Sequence, residues 1–168
     1  NRFMMVVDNF INKNELKEMK KEMLHGDFNW FYCQKSVDYD TKPQPMFEHS
    51  FLKNNIKSYK FNLVENLLKK IVEKRKAKEF LRIKSNLYLK QNKKSSHTKH
   101  TDLKNVEKYE TAIFYLTTTN GSTSIGNKKI KDKENRIVFF DGKTEHNANT
   151  QTDKTERLII NINYDKYN

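Results

Sequence analysis

His100 and Asp102 stand two residues apart, His146 lies further on, and Arg157 follows eleven residues after it. These are the residues in the chain whose types and spacing can do chemistry together. Two imidazoles and one carboxylate suit Fe(II) and leave coordination positions open on the metal. An arginine downstream suits a carboxylate ligand, because its planar fork can meet both oxygens. The combination points to an iron enzyme that uses a keto acid and O2. His97 offers a competing His-x-x-His pair with His100. That spacing serves zinc on a helix, and the Ser, Lys and Thr residues around it disfavour a helix. His25 and His49 have no visible partners and read as ordinary surface or core histidines.

A His-x-Asp triplet is a weak signal by itself. The order of elements around it carries more. Leu81, Ile83, Leu87 and Leu89 alternate with Arg82, Lys84, Asn86 and Tyr88. Alternate residues of a strand face opposite ways, so one face packs and the other is polar. A polar face suits the lining of a pocket, and Arg82, Lys84 and Asn86 are its substrate-facing candidates. A strand with one side in water has the same pattern. After the triplet come strand-like runs at 111–118, 136–140 and 155–164, with turns at Asn120-Gly121 and Asp141-Gly142. In the last run Arg157, Ile159, Asn161 and Asn163 share one face. Two amides on a mostly apolar strand need partners, which a polar cavity supplies.

The elements before residue 80 must support that pocket. Phe3 to Val7 reads as a short strand. Asn12 caps a helix, with Glu15 as its capping-box partner; Leu16, Met19, Met23 and Leu24 share a face and Gly26 ends it. Phe28, Trp30, Phe31 and Tyr32 form an aromatic segment read as a strand. Residues 38–46 read as a loop. For 38–60 as a whole an ordinary surface connection is preferred to an active-site lid. Leu63, Val64, Leu67, Leu68, Ile71 and Val72 make a second amphipathic helix. Lys69, Lys70, Lys74, Arg75, Lys76 and Lys78 give it a solvated face, a better account of this run than a nucleic-acid site. Helices followed by many short strands read as α+β with a sandwich or barrel.

Composition fits one domain. The 168 residues are 35% hydrophobic but include 11 Phe and 8 Tyr, enough aromatic bulk for a core. The net charge of +12 is carried mainly by lysine. It suits an anionic partner, or else it is compositional, since lysine and asparagine enrichment accompanies AT-rich coding. Cys33 is the one cysteine, so the chain holds no internal disulfide. A lone thiol fits a reducing, cytoplasmic setting. No apolar run reaches the roughly 20 residues of a membrane span, and no signal peptide is visible.

The stretches Leu81–Tyr88, His97–Asp102, Ala112–Leu116, Asn120–Thr123 and Arg136–Tyr164 resemble the Fe(II)/2-oxoglutarate-dependent oxygenase superfamily. The likeness is to its prolyl-hydroxylase-like branch, including small forms encoded by marine bacteria and phages. It covers about 80–165. It implies an α+β fold, a double-stranded β-helix or jelly-roll with the N-terminal helices packed on the outer sheet. One domain would span 1–168, with a helical part at about 1–79 and the β-helix at about 80–165. It implies Fe(II) on His100, Asp102 and His146, with 2-oxoglutarate and O2 as cosubstrates. Arg157 would hold the distal carboxylate of 2-oxoglutarate, and Tyr88, Tyr115 and Asn161 would surround it. Cupins share the fold but usually show His-x-His, which is absent here. Peptidyl hydroxylation, with proline as the example, is the substrate expectation. Oxidation of a nucleic-acid base, action on a small metabolite, and a non-catalytic basic jelly-roll binding nucleic acid through residues 69–84 stay open. Oligomeric state is open too.

Overall fold

The computed structural model describes residues 2–34 and 43–167. Eleven strands are named among them: β1 (Met4–Val7), β2 (Phe31–Cys33), β3 (Met46–Lys53), β4 (Ile56–Lys57), β5 (Ala77–Leu89), β6 (Glu110–Tyr115), β7 (Ser122–Ile125), β8 (Lys128–Lys131), β9 (Arg136–Asp141), β10 (His146–Asn149) and β11 (Glu156–Lys166). The helices are α1 (Lys13–Leu24) and α2 (Glu65–Arg75), the latter preceded by a 3-10 turn at Phe61–Val64.

The sheets alternate along the chain. The major sheet runs β1-β9-β6-β11-β5-β3-β2, with β4 paired to β3; the minor sheet runs β10-β7-β8. Antiparallel bridges Ser96–Asn149 and His100–His146 lay residues 96–100 beside β10 as a fourth, ragged member. From β5 onward the chain therefore visits the sheets in turn: β5 major, 96–100 minor, β6 major, the β7–β8 hairpin minor, β9 major, β10 minor, β11 major. Two four-stranded sheets wound in this order are a double-stranded β-helix, as the resemblance implied.

Period-two patterning decides which side chains face the lumen. On β5 and β11 one set, Ile83, Leu87, Leu158, Ile160 and Ile162, joins Leu16, Met19, Met23, Leu67 and Ile71 of the helices in one core. Each such side chain, fully buried, contributes about 1.5–3 kcal/mol. The helices thus cover the outer face of the major sheet. A second, smaller core of Tyr88, Ile113, Tyr115, Ile125, Val138, Phe140 and Ile159 lies between the sheets.

α1 starts where the pattern placed it, whereas Leu63 and Val64, read as the start of the second helix, lie in the 3-10 turn and α2 itself starts at Glu65. The Asn12 side chain caps α1 by accepting from Asn14 N at 2.8 Å, rather than from Glu15 N. The segment 1–79 is less helical than expected, because β1 extends the major sheet beyond β9, and β3 and β2 extend it beyond β5. Met46–Lys53 is a strand of that sheet, so the surface-connection reading fails for this stretch. Its sequence, Met-Phe-Glu-His-Ser-Phe-Leu-Lys, does not alternate cleanly, because both of its faces are partly covered. Residues 38–42 of the expected loop lie outside the described residues. Lysines 69, 70, 74, 76 and 78 are exposed, as a solvated face requires, whereas Arg75 turns back to Glu110 at 3.0 and 2.8 Å. No helix among the described residues is long and apolar enough to cross a membrane.

Candidate metal centre

The His100–His146 bridge brings two distant pieces of chain together. His100 N donates to His146 O at 3.0 Å, and His146 N to His100 O at 2.9 Å. Backbone pairing thus sets the two imidazoles side by side, with ring centroids 4.8 Å apart. Asp102, two residues past His100, returns its carboxylate to the same spot: Oδ1 lies 3.5 Å from His100 Nε2 and 3.2 Å from His146 Nε2. One ligand atom from each of the three lies within 4.8 Å of the others. His97 is outside the group; its ring packs 5.4 Å from that of Tyr88. His49 is a core residue bonded to Asn29 O and Ser58 Oγ, and His25 is exposed, both as expected.

The tautomers follow from the backbone. His100 Nδ1 is 2.9 Å from Thr98 O, and His146 Nδ1 is 3.2 Å from Thr144 O. A carbonyl oxygen only accepts, so both Nδ1 atoms carry protons, and both Nε2 atoms, the positions left for a metal, face the carboxylate. This is the arrangement metal-binding histidines use. His146 Nε2 is buried and has no hydrogen-bond partner; its approach to Asp102 is close without being aligned. Burial alone would raise the Asp102 carboxyl, but His146, His100 and Arg82 outweigh it and hold it well below the usual range. Burial would depress His146, yet the Asp102 charge beside it wins and raises it. The donor set and the unpartnered Nε2 fit a divalent cation of the Fe(II) class.

Asn163, on β11, orients the carboxylate. Its Nδ2 donates to Asp102 Oδ2 at 2.8 Å and to Thr111 Oγ1 at 2.9 Å, leaving Oδ1 to the imidazoles. Arg82 completes the frame, with Nε on Asn163 Oδ1 at 3.1 Å and Nη2 3.3 Å from Asp102 Oδ1.

Arg157 enters the lumen from the start of β11, opposite Tyr88. Its Nε and Nη2 donate to Asp132 at 2.7 and 3.0 Å, and Nη2 also donates to Ser122 O at 3.0 Å. The two-oxygen edge expected for a cosubstrate carboxylate is thus taken by Asp132. Nη1 remains, buried and without a partner. Sequence gave no sign of Asp132, because it sits in the run Lys128–Lys133, which reads as a solvated surface. The turn glycine Gly121 is required here: a Cβ would stand 2.9 Å from Asn149 O and 3.1 Å from Arg157 Cδ.

The other expected residues share this face. Tyr115 donates to Thr123 Oγ1 at 2.6 Å, and the Tyr88 ring lies 4.9 Å from the Arg157 guanidinium carbon. Burial pushes both phenols up, so they stay protonated donors at neutral pH. Asn86 donates to Tyr88 Oη at 3.2 Å, and the Oδ1 atoms of Asn86 and Asn161 are buried without partners. Lys84 is paired with Glu48 at 3.3 Å.

Solved structures share this architecture. A Pseudomonas putida prolyl-4-hydroxylase matches with a TM-score of 0.68 at 10% identity, over 100% of this chain and 95% of its own. A 2OG-Fe(II) oxygenase family oxidoreductase from Burkholderia pseudomallei gives 0.68 at 12%, over 99% and 86%. A non-heme α-ketoglutarate-dependent carbocyclase from nogalamycin biosynthesis gives 0.72 at 11%, over 98% and 80%. The chain has the fold of the 2-oxoglutarate- and Fe(II)-dependent oxygenases. No protein-family profile matches it, and no curated protein does.

Proposed function

We propose that this protein is an Fe(II)- and 2-oxoglutarate-dependent dioxygenase. His100, Asp102 and His146 are its metal ligands, and Arg157 Nη1 receives the distal carboxylate of 2-oxoglutarate beside Tyr88, Tyr115 and Asn161. The observation that carries this is the triad with both Nε2 atoms turned to one carboxylate oxygen. The fold supports it, as does the buried, unpartnered Nη1 of Arg157. On this reading residues 1–168 are a single oxygenase domain. A reducing compartment such as the cytoplasm suits ferrous iron and the chain's one cysteine.

Ferrous iron and 2-oxoglutarate supply the O2-dependent oxidation, which yields succinate, CO2 and a hydroxylated substrate. The residues supply placement. Thr98 and Thr144 carbonyls hold the imidazole protons away from the centre. Asn163 turns Asp102 so that one oxygen faces it. Ile113, Ile125, Val138, Phe140 and Ile159 exclude water. No separate protein base is needed. For the substrate we favour a peptidyl side chain. Prolyl hydroxylases are among the structures of this fold, one of them bound to a hypoxia-inducible-factor peptide fragment.

Anaerobic titration with Fe(II) and then 2-oxoglutarate should give a visible charge-transfer band, and air should then release succinate. His100→Ala should lose both. A folded wild-type protein that binds no Fe(II) refutes the assignment.

A further inference from the structure

Arg82, Lys84 and Arg157 all stand on the lumen side of β5 and β11, and each is held by an acid. Arg157 has Asp132 and Lys84 has Glu48, acids outside the metal cluster. Arg82 differs. Its Nη2 lies 3.3 Å from Asp102 Oδ1, the oxygen that faces both imidazoles. A cation shared by the triad takes that oxygen. Arg82 would then share its counter-charge with a divalent ion. Asn163 holds its Nε in place at 3.1 Å. The side chain is 24% exposed, so a ligand can reach the free end of the guanidinium.

An anion is the group such an arginine accepts, through two parallel N–H donors. The distal carboxylate of 2-oxoglutarate is not a candidate. Arg82 pairs with Asn163, six residues along β11 from Arg157, which is about 20 Å of strand at 3.3 Å per residue. We propose that Arg82 binds a carboxylate or phosphate group of the primary substrate, so that the site selects substrates carrying negative charge close to the carbon that is oxidised. This rests on the oxygenase reading and narrows it. It also gives the +12 chain a specific use for one of its cations.

The test uses Co(II)-loaded protein with 2-oxoglutarate, held under argon and followed by calorimetry and by the Co(II) visible bands. The probes are benzoate and phenyl phosphate, with benzamide as neutral control. The anions should bind the loaded protein at least about tenfold more tightly than the metal-free protein, the scale of one charge-assisted bond. The Co(II) bands should stay in place, showing that the probe is off the metal. Benzamide should not bind. At saturating Co(II) and 2-oxoglutarate, Arg82→Met should abolish the gain, while Arg82→Lys should restore part of it. The better of the two anions identifies the group. Equal anion binding with and without metal overturns the proposal, and so does full binding by Arg82→Met. Loss of 2-oxoglutarate affinity in Arg82→Met equal to that of Arg157→Met also overturns it, by moving Arg82 into the cosubstrate site. Absence of any Co(II) band removes the oxygenase reading itself, and this proposal with it. Normal Co(II) and 2-oxoglutarate binding without the anion effect removes this proposal alone.

Discussion

Removing Asp132 should destabilise the protein more than any other single change in the lumen. A guanidinium has five N–H donors. At Arg157 the Nε proton and one from Nη2 go to Asp132, and Nη2 also serves Ser122 O. Both side chains of the pair are wholly shielded from solvent. Asp132→Ala leaves a full charge inside the protein with one carbonyl and one hydroxyl near it. Taking one partner from a buried ion pair costs about 3–5 kcal/mol. For a domain of this size each kcal/mol is about 2–4 °C of Tm, so the melt should fall by about 6–20 °C. Arg157→Met should cost less, because a stranded carboxyl can take up a proton and a stranded guanidinium cannot lose one. The double variant should recover part of the loss, since apolar groups replace buried pairs at little net cost. Urea and thermal melts of the four proteins complete the cycle. In Asp132→Ala, 2-oxoglutarate becomes the only counter-charge and should raise the Tm by more than it does in wild type. If Asp132→Ala lies within about 1 kcal/mol of wild type, below any buried-pair cost, the pair is not what holds Arg157 and the geometric argument fails.

Two further expectations follow from the framing residues. Asn163→Leu removes the donor to Asp102 Oδ2, and loss of such an outer partner lowers metal affinity by about 10–100-fold. Co(II) titration reads it, and an unchanged midpoint would separate Asn163 from the site. At the sheet edge, the Arg136 hydrogen bond outweighs the raising effect of burial, and with Lys133 it lowers Asp8 from its ordinary 3.8 to about 2. The folded value lies below the unfolded one. The stabilisation is therefore complete above about pH 4 and vanishes as pH falls through about 2. Asp8→Asn should cost up to about 1 kcal/mol at pH 7, screened because the carboxylate is 34% exposed, and nothing below pH 2. A pH-independent difference in chemical melts would contradict this.

The parts of the fold that could be read from sequence are those where one face is apolar and the other is not. β5 and β11 alternate over long runs because the helices cover one side and the lumen lies on the other. α1 and α2 show their buried faces in the same way. The convergence of His100, Asp102 and His146, and the inward position of Arg157, could be anticipated from residue type and order. The minor sheet was not. β7, β8 and β10 read Ser-Thr-Ser-Ile, Lys-Lys-Ile-Lys and His-Asn-Ala-Asn, too short and too polar for a period to appear. Asp132 was hidden for the same reason, since burial of one acid within an exposed lysine run depends on the Arg157 partner and not on local pattern. Asn163 was visible only as an amide in need of a partner; that the partner is Asp102 is a tertiary fact.

The same polarity that hides the minor sheet from a pattern search suits it to its place. Apolar strands pair and pack by burying area, but they offer a metal no ligands. Here the major sheet, backed by the helices, carries the larger core. The polar wall opposite leans on backbone pairing and side-chain hydrogen bonds, such as those from Asn149 Nδ2 to Ser122 and Ser124 at 2.9 and 3.0 Å. His100 and His146 meet on a single bridge of that wall, while Asn163 and Arg82 reach across from the major sheet to fix Asp102. The centre is therefore built from both sheets. A cation held by His100, Asp102 and His146, as proposed above, would brace the polar wall against the major sheet through the Asn163 bond to Asp102, a structural consequence beside the chemical one.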